Sequence, residues 1–160
     1  MSVLIQRVDY QNPLHAQALI SLLEMYAQDP MGGHAPLAES VKQTLPAQLA
    51  AFPTAMSWLA WIGGEPVGLV NAFRGFSTFR GRELLNIHDI AVHPAYRGQG
   101  IARQLLAAVE VAARQLDCCK LTLEVLSGNQ AAQQLYRHFG FQAYQLDDAA
   151  GTALFWQKTL

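Results

Sequence analysis

Residues 88–103 constrain the fold of this chain more than any other segment, because they join a strand pattern to an amphipathic helix through a glycine-containing turn. They read His-Asp-Ile-Ala-Val-His-Pro-Ala-Tyr-Arg-Gly-Gln-Gly-Ile-Ala-Arg. Pro94 ends the strand pattern, and apolar residues at helical spacing begin at Ile101. A strand, turn and helix in this order direct several unpaired main-chain N–H groups to one point, in front of the positive end of the helix dipole. Phosphate oxygens bind at such a point.

The residue types in this turn suit a closely approaching phosphate. Gly98 and Gly100 carry no side chain that would block the main chain, and the small Ala102 lets the helix pack closely on the strand. Arg97 and Arg103 add positive charge. No Gly-Lys-Ser/Thr follows, which excludes a P-loop, and Arg103 occupies the third small position of a dinucleotide fingerprint. Taken by itself, the pattern would also fit an ordinary glycine-softened helix start.

The apolar periodicity of the whole chain predicts one mixed α/β (α+β) domain over residues 1–160. Strands are predicted at residues 3–8, 56–62, 65–73, 83–92, 121–125, 141–146 and 152–158, and helices at 13–27, 37–51, 101–116 and 130–140. Residues 74–82 are predicted as a polar connection. The order β-α-α-β-β-β-α-β-α-β-β predicts a largely antiparallel sheet of six to seven strands with helices on both faces.

Composition and charge exclude several classes of protein. Hydrophobic residues make up 51% of the 160 residues, which is enough to form a core. The net charge of −1 gives no basic face for nucleic acid. No apolar stretch reaches membrane-spanning length, and the N-terminal residues lack a signal-peptide pattern, so we expect a cytoplasmic protein. The adjacent Cys118 and Cys119 are expected to be reduced thiols, and the five scattered histidines predict no metal site.

A second set of residues follows the turn at a distance. It comprises residues 123–129, Leu-Glu-Val-Leu-Ser-Gly-Asn, then Ala132, Leu135-Tyr136 and Phe139-Gly140-Phe141. This set and the Arg-x-x-Gly-x-Ala turn, in this order, resemble the two halves of the GNAT N-acetyltransferase superfamily. The element order is similar too, so the resemblance covers nearly the whole chain. The second half looks most like the branch that acetylates protein N-termini, including the ribosomal-protein alanine acetyltransferases.

The resemblance implies acetyl-CoA as the co-substrate, with no metal. In the family, the strand before the turn splays from its parallel neighbour and pairs with the pantetheine arm, while N–H groups of the turn hold the pyrophosphate. The N–H groups from Arg97 to Ala102 would fill the latter role. By position, the cofactor-binding residues would be Ile90, Ala91, Val92, Arg97, Gly98, Gln99, Gly100, Ile101, Ala102, Arg103, Asn129 and Tyr136. Asn129 would equally serve as a helix cap, and Ser127 with Gln130 has the spacing of a capping box.

The resemblance also implies catalytic roles for three residues. Tyr136 matches the family's general acid, which protonates the departing thiolate, although it would also fit as a core residue on its helical face. Glu124 is favoured as the general base that takes the proton of the amine. Asp89, on the strand before the turn, is its competitor. Each carboxylate would equally fit a structural role.

The sequence therefore predicts an enzyme, an acetyl-CoA-dependent N-acetyltransferase. It would move an acetyl group to a primary amine of a small molecule or peptide by direct attack in a ternary complex. The alternatives are a non-catalytic CoA or acyl-CoA sensor and a transferase of another acyl group. No motif identifies the acceptor. Neither nucleic acid nor a membrane is expected as a partner, and a homodimer would be common for the family.

Overall fold

A five-stranded sheet with the order β1-β2-β3-β4-β5 is the centre of the computed structural model, which describes residues 2–160. Its strands are β1 (Leu4–Arg7), β2 (Ala55–Ile62), β3 (Glu65–Ser77), β4 (Arg82–Val92) and β5 (Leu121–Leu123). The helices are α1 (Pro13–Gln28), α2 (Glu39–Ala51), α3 (Ile101–Gln115) and α4 (Gln130–Phe139). Consecutive strands pair antiparallel except β4 and β5, which are parallel. The predicted fold class is confirmed.

Two compact units divide the chain, one that ends at Leu123 and one that spans Glu124–Leu160. The first contains the whole sheet with α1, α2 and α3, and the second contains α4. A single domain over residues 1–160 stays a prediction. Within the described residues, no helix is both long and apolar enough to cross a membrane.

Helices cover both faces of the sheet in the first unit. Leu59 of β2 and Leu69 of β3 are fully buried in one core cluster with Leu19 and Leu22 of α1 and Leu49 of α2. We call this side the α1 face. Side chains alternate between the two faces along a strand, so the neighbours of these residues point to the opposite side.

That opposite side, the α3 face, includes Ala60 and Gly68. A Cβ placed on Gly68 would lie 3.1 Å from Cδ1 of Leu105 and 3.2 Å from Cγ2 of Ile101, and 3.3 Å from the Cβ of Ala60. Gly68 therefore lets the first turn of α3 lie directly on the sheet. Ile101 and Leu105 are themselves fully buried there.

Two predicted regions differ from the structure. Residues 74–77 and 82 continue β3 and β4 as one long hairpin, with Ser77 opposite Arg82, so most of the predicted connection is strand. The predicted closing strands at 141–146 and 152–158 are wrong: in the described chain these segments meet only at the bridge Gln145–Thr152. A two-stranded hairpin needs a further strand or a packed face for stability, and Leu146 and Leu154 are about three-quarters exposed.

We expect Gly68→Val to loosen the contact between α3 and the sheet. The added methyl groups enter space already filled by Ile101 and Leu105, and overpacking of a buried site costs about 1–3 kcal/mol. Thermal or urea unfolding measures the loss. Gly128→Ala is the control, because its Cβ would meet nothing within 4 Å. Equal stability of Gly68→Val and the wild type would contradict the close packing.

Candidate phosphate-binding turn and acyl-transfer site

The turn between β4 and α3 is shaped by a short 3-10 helix and two left-handed glycines. Pro94–Tyr96 forms the 3-10 helix, and the Nδ1 of His93 caps it by accepting the N–H of Ala95 at 3.3 Å. Gly98 and Gly100 both have φ of 76°, a conformation that disfavours any residue with a Cβ. Gly100 is the N-cap residue of α3, and no side chain of the described residues 2–160 caps this helix.

Six consecutive main-chain N–H groups at this turn, those of residues 98–103, donate no hydrogen bond within the described part of the chain. The first intrahelical bond runs from Gln104 to the carbonyl of Gly100. The N–H groups precede α3 and form its first turn, where the helix dipole is positive. The predicted set from Arg97 to Ala102 is corrected by one residue, because the N–H of Arg97 closes the 3-10 helix on the carbonyl of Pro94.

The side chain of Arg97 is held beside the turn. Its Nε donates to the carbonyl of Val92 at 3.1 Å, and one terminal nitrogen lies 2.8 Å from Oδ2 of Asp29. Asp29 is the C-cap residue of α1 and also accepts the N–H of Met31. The Met31 hydrogen bond, followed by the Arg97 guanidinium, holds the pKa of Asp29 below its ordinary value. The ion pair thus links the end of α1 to the turn.

Strand β4 has a free edge just before this turn. β5 pairs with β4 only as far as Ile87, opposite Leu123, whereas β4 continues for five more residues to Val92. The β3–β4 register skips His88 between Ile87 and Asp89, so His88 is the extra residue of a β-bulge. Bulges are frequent beside functional sites because they redirect side chains and end pairing.

The bulge decides which main-chain groups face the free edge. Before it, the carbonyl of Glu83 and the N–H of Leu85 bond toward the β5 side. After it, the N–H of His93 donates to the carbonyl of Val67 in β3. Because main-chain groups alternate along a strand, Ala91 also faces β3, whereas Ile90 and Val92 face the free edge. The main-chain groups of Ala91 are thus directed toward β3, and the predicted role of Ala91 in cofactor binding stays a prediction.

Asp89 lies on the α1 face, the side opposite α3. Its Oδ2 accepts a 2.9 Å hydrogen bond from Nδ2 of Asn71, whose Oδ1 is 2.6 Å from the Oγ of Ser57. The hydroxyl of Tyr10 is 2.8 Å from the same Oγ. Burial, and after it the negative charges of Asp89 and Asp29, raise the pKa of Tyr26 in α1.

Asn71, which bonds Asp89 directly, and Ser57 and Tyr10, which connect to it through Asn71, are not among the residues that the sequence singles out. Ser57 and Asn71 are buried polar residues in otherwise apolar strands, with 1% and 3% exposure. Buried polar residues of this kind are rarely without a hydrogen-bond partner. A polar residue within an apolar strand was therefore the sequence signal that could have identified Ser57 and Asn71. Tyr10 also lines an open groove of about 1040 Å³ between α1 and α2, whose lining includes none of the residues predicted to bind the cofactor.

The second unit carries the other predicted residues. The Oδ1 of Asn129 accepts the N–H of Ala132 at 3.1 Å, so Asn129 caps α4. The capping box based on Ser127 is wrong, because Gln130 binds the carbonyl of Ser127 instead. Glu124 is exposed. Tyr136 is buried, and its ring contacts that of Phe141 edge-on at 5.9 Å between centroids.

Comparison with known proteins decides the family. The sequence profile of the Acetyltransferase (GNAT) family matches residues 16–141, well over half of the chain. The chain belongs to the GNAT acetyltransferase family. The match includes the turn, both carboxylates, Asn129 and Tyr136.

Named relatives of this GNAT chain are N-acetyltransferases. It is 38% identical over 93 residues to thialysine N-epsilon-acetyltransferase of Bos taurus, covering 55% of this chain and 53% of that protein. It is 33% identical over 76 residues to a putative [ribosomal protein bS18]-alanine N-acetyltransferase of Bacillus subtilis, covering 44% and 50%. The match thus spans about half the length of these curated relatives.

A solved aminoglycoside N-acetyltransferase in complex with CoA has the same fold. It aligns with a TM-score of 0.77 and 18% identity, over 99% of this chain and 96% of that one. At this identity the likeness concerns the fold. No group of three or more His, Cys, Asp or Glu side chains in the described residues is arranged to hold a metal ion.

The sequence-predicted residues of this GNAT chain therefore fall into two sets. Asp89, the β4 edge and the turn lie within about fifteen consecutive residues of the first unit. Glu124, Asn129 and Tyr136 belong to the second unit. Their roles toward cofactor and acceptor stay predictions.

We expect Asp29→Asn to lower the melting temperature at neutral pH but not at low pH. A carboxyl whose folded pKa is lowered contributes stability above its ordinary value, here 3.8, and loses it as the pH falls further. The amide oxygen of Asn can still accept the Met31 N–H, while its NH2 group replaces the oxygen that faces Arg97, so the change removes the charge and the hydrogen bond to Arg97 together. The exposed pair is worth at most about 1 kcal/mol.

Melting curves of both proteins at pH 7 and near pH 3 test this expectation, with the exposed Asp148→Asn as control. A difference that persists undiminished at the lower pH would show that the ion pair is not its source.

Proposed function

We propose that this chain is an acetyl-CoA-dependent N-acetyltransferase that acts on a primary amine of a small molecule or peptide. The observation that carries the proposal is the run of free N–H groups at residues 98–103, directly after the free edge of β4. Membership of the GNAT acetyltransferase family supports it.

The residues present fit a diphosphate. Unpaired N–H groups at a helix start bind phosphate oxygens well, because the dipole and the donors act together. A Cβ on Gly98 or Gly100 would meet no atom of the described residues within 4 Å, so no neighbouring group crowds the main chain at either glycine. The main-chain groups of Ile90 and Val92 on the β4 edge are placed for an extended chain that continues from the diphosphate, with the Val92 carbonyl shared with Arg97.

Acetyl-CoA would supply the acetyl group as an activated thioester. The task of the protein is then to hold the donor along β4, to remove a proton from an incoming ammonium, and to provide a proton at the sulfur. Tyr136 is the proposed proton donor at the sulfur, since a phenol remains protonated at neutral pH.

Asp89 is the proposed group that receives the ammonium proton. It lies on the α1 face, opposite the helix whose start would bind the phosphates, so donor and acceptor would reach the reacting atoms from different sides. One of its oxygens is fixed by Asn71. Glu124, which the sequence favours, is exposed, and its side chain makes no hydrogen bond or ion pair to the described residues. We keep it as the alternative base.

An amine acceptor is consistent with the names of the relatives, which refer to thialysine and to a ribosomal-protein alanine. Both names describe N-acetylation. A non-catalytic CoA sensor with the same phosphate turn is the second candidate, and a transferase of another acyl group is the third. Binding and turnover experiments separate these possibilities.

We expect Gly100→Asp to lose at least about tenfold in affinity for CoA, because a carboxylate and a strained φ of 76° would replace the open approach to the free N–H groups. Calorimetric titration with CoA measures the affinity. Gly64→Asp is the matched control, since Gly64 also has a positive φ and open space, but lies in the β2–β3 hairpin. Full affinity of Gly100→Asp would place the phosphates elsewhere.

Turnover distinguishes the enzyme from a sensor. Incubation with acetyl-CoA and a panel of primary amines is expected to release free thiol, with a preference among the amines. Asp89→Asn should lower kcat about 100-fold or more, which is the scale of general base catalysis, and Tyr136→Phe should lower it at saturating acetyl-CoA. A large loss in Glu124→Gln with little change in Asp89→Asn would assign the base to Glu124. CoA binding without any thiol release would favour the sensor.

A further inference from the structure

A chain of hydrogen-bonded side chains crosses three strands of the sheet and ends at Asp89. It runs from Tyr10, before α1, to Ser57 in β2, Asn71 in β3 and Asp89 in β4. The successive distances are 2.8, 2.6 and 2.9 Å. The two middle members are buried, whereas Tyr10 and Asp89 are half-buried. The chain therefore connects two partly accessible groups through the interior.

The direction of every hydrogen bond in this chain follows from the chemistry of its ends. An ionised carboxylate only accepts, so the amide nitrogen of Asn71 must face Asp89 and its oxygen must face Ser57. That oxygen also only accepts, so the Ser57 hydroxyl donates to it. Ser57 has no second hydrogen, and Tyr10 must therefore donate to Ser57. Each donor points toward Asp89.

Hydrogen bonds that run in one direction polarise and strengthen one another in a low-dielectric interior. All three here stabilise negative charge on Asp89. Burial raises the pKa of Tyr10, so its phenol stays protonated and can donate the first hydrogen bond of the series to Ser57. The amide of Asn71 does not readily pass a proton, so the chain holds and orients the carboxylate and does not conduct protons through the sheet.

Only one oxygen of Asp89 takes part. Oδ2 is occupied by Asn71, while Oδ1 accepts no hydrogen bond from the described residues. The bulge at His88 is what aligns Asp89 with Asn71, because it shifts the register by one residue just before this pair. Asn71 thus fixes Oδ2, whereas Oδ1 can still accept a hydrogen bond from a bound molecule.

We propose that Tyr10, Ser57 and Asn71 are positioning residues, which fix Asp89 so that its Oδ1 receives the cationic amine of the acceptor. This inference rests on the proposed function. It extends it by assigning Asp89 a fixed orientation and by naming an ammonium as the form in which the acceptor is recognised. The three residues act through Asp89 and contact no reacting atom.

A double-mutant cycle tests the coupling. Ser57→Ala removes the hydroxyl and should lower kcat/KM for the amine about tenfold, with kcat affected and the KM for acetyl-CoA unchanged. The same change in an Asp89→Asn background should cost less than about twofold, because the carboxylate that the chain orients is gone. Equal losses in both backgrounds would overturn the proposal, since a merely structural role is independent of Asp89.

Matched variants separate positioning from general damage. Ser57→Thr retains the hydroxyl and should recover most of the activity, and Tyr10→Phe keeps the half-buried ring while removing the first donor. Ser40→Ala, on exposed surface, and Tyr144→Phe, in the second unit, are controls for the same chemical changes. Tyr10→Phe is the variant to use if Ser57→Ala fails to fold. Wild-type activity in Tyr10→Phe and in Ser57→Ala would refute the positioning role.

A spectroscopic measurement keeps this inference separate from the proposed function. With ¹³Cγ-labelled aspartate, the carboxyl signal of Asp89 is assigned by its loss in Asp89→Asn. Tyr10→Phe and Ser57→Ala should move that signal and leave those of Asp147 and Asp148 in place. An unmoved signal overturns the positioning role whether or not the protein turns over. Absence of thiol release with every amine overturns the proposed function, and the NMR result then decides the positioning role by itself.

Discussion

Main-chain hydrogen bonding of β4 is the constraint on which the rest of this site depends. The strand pairs with β3 from Arg82 to Val92 except at His88, but with β5 only at Leu85–Ile87. Buried main-chain N–H and C=O groups need hydrogen-bond partners. A strand with one free edge must therefore expose that edge to solvent or pair it with another molecule. The extra residue at His88 then sets which groups lie there, because it reverses the alternation of all residues that follow.

The extra residue His88 also determines which side chains of β3 and β4 lie opposite each other. Without the shift in register, the pairing of Ala72 with Ile87 would place His88 opposite Asn71, and the polar chain from Tyr10 would not reach Asp89. One inserted residue therefore fixes both the main-chain groups of Ile90 and Val92 and the side chain of Asp89. It gives β4 two features on two sides: a free edge after Ile87, where we propose that the cofactor binds, and a carboxylate on the α1 face.

Much of the fold follows from local sequence signals. Asn12 and Pro13 start α1 where the capping signal predicts, and the glycines after Pro94 give the turn its left-handed residues. Local sequence signals fail where the structure depends on pairing between residues that are far apart in the chain. The periodicity at 141–146 and 152–158 suits strands, yet these segments form a single bridge, because alternation does not specify a partner. Likewise the free N–H groups begin one residue later than predicted, since the turn of Pro94–Tyr96 takes that of Arg97.

The polar chain shows most clearly what a sequence leaves open. Its members are 47, 14 and 18 residues apart in successive steps, and their contact depends on two strand registers and one bulge. Ser57 and Asn71 each look like isolated polar residues in apolar strands. A buried serine or asparagine is costly without partners, so selection for a stable core alone would favour an apolar residue at both positions. Both nevertheless lie on one line of hydrogen bonds that ends at a half-buried carboxylate, as the proposed positioning of Asp89 requires.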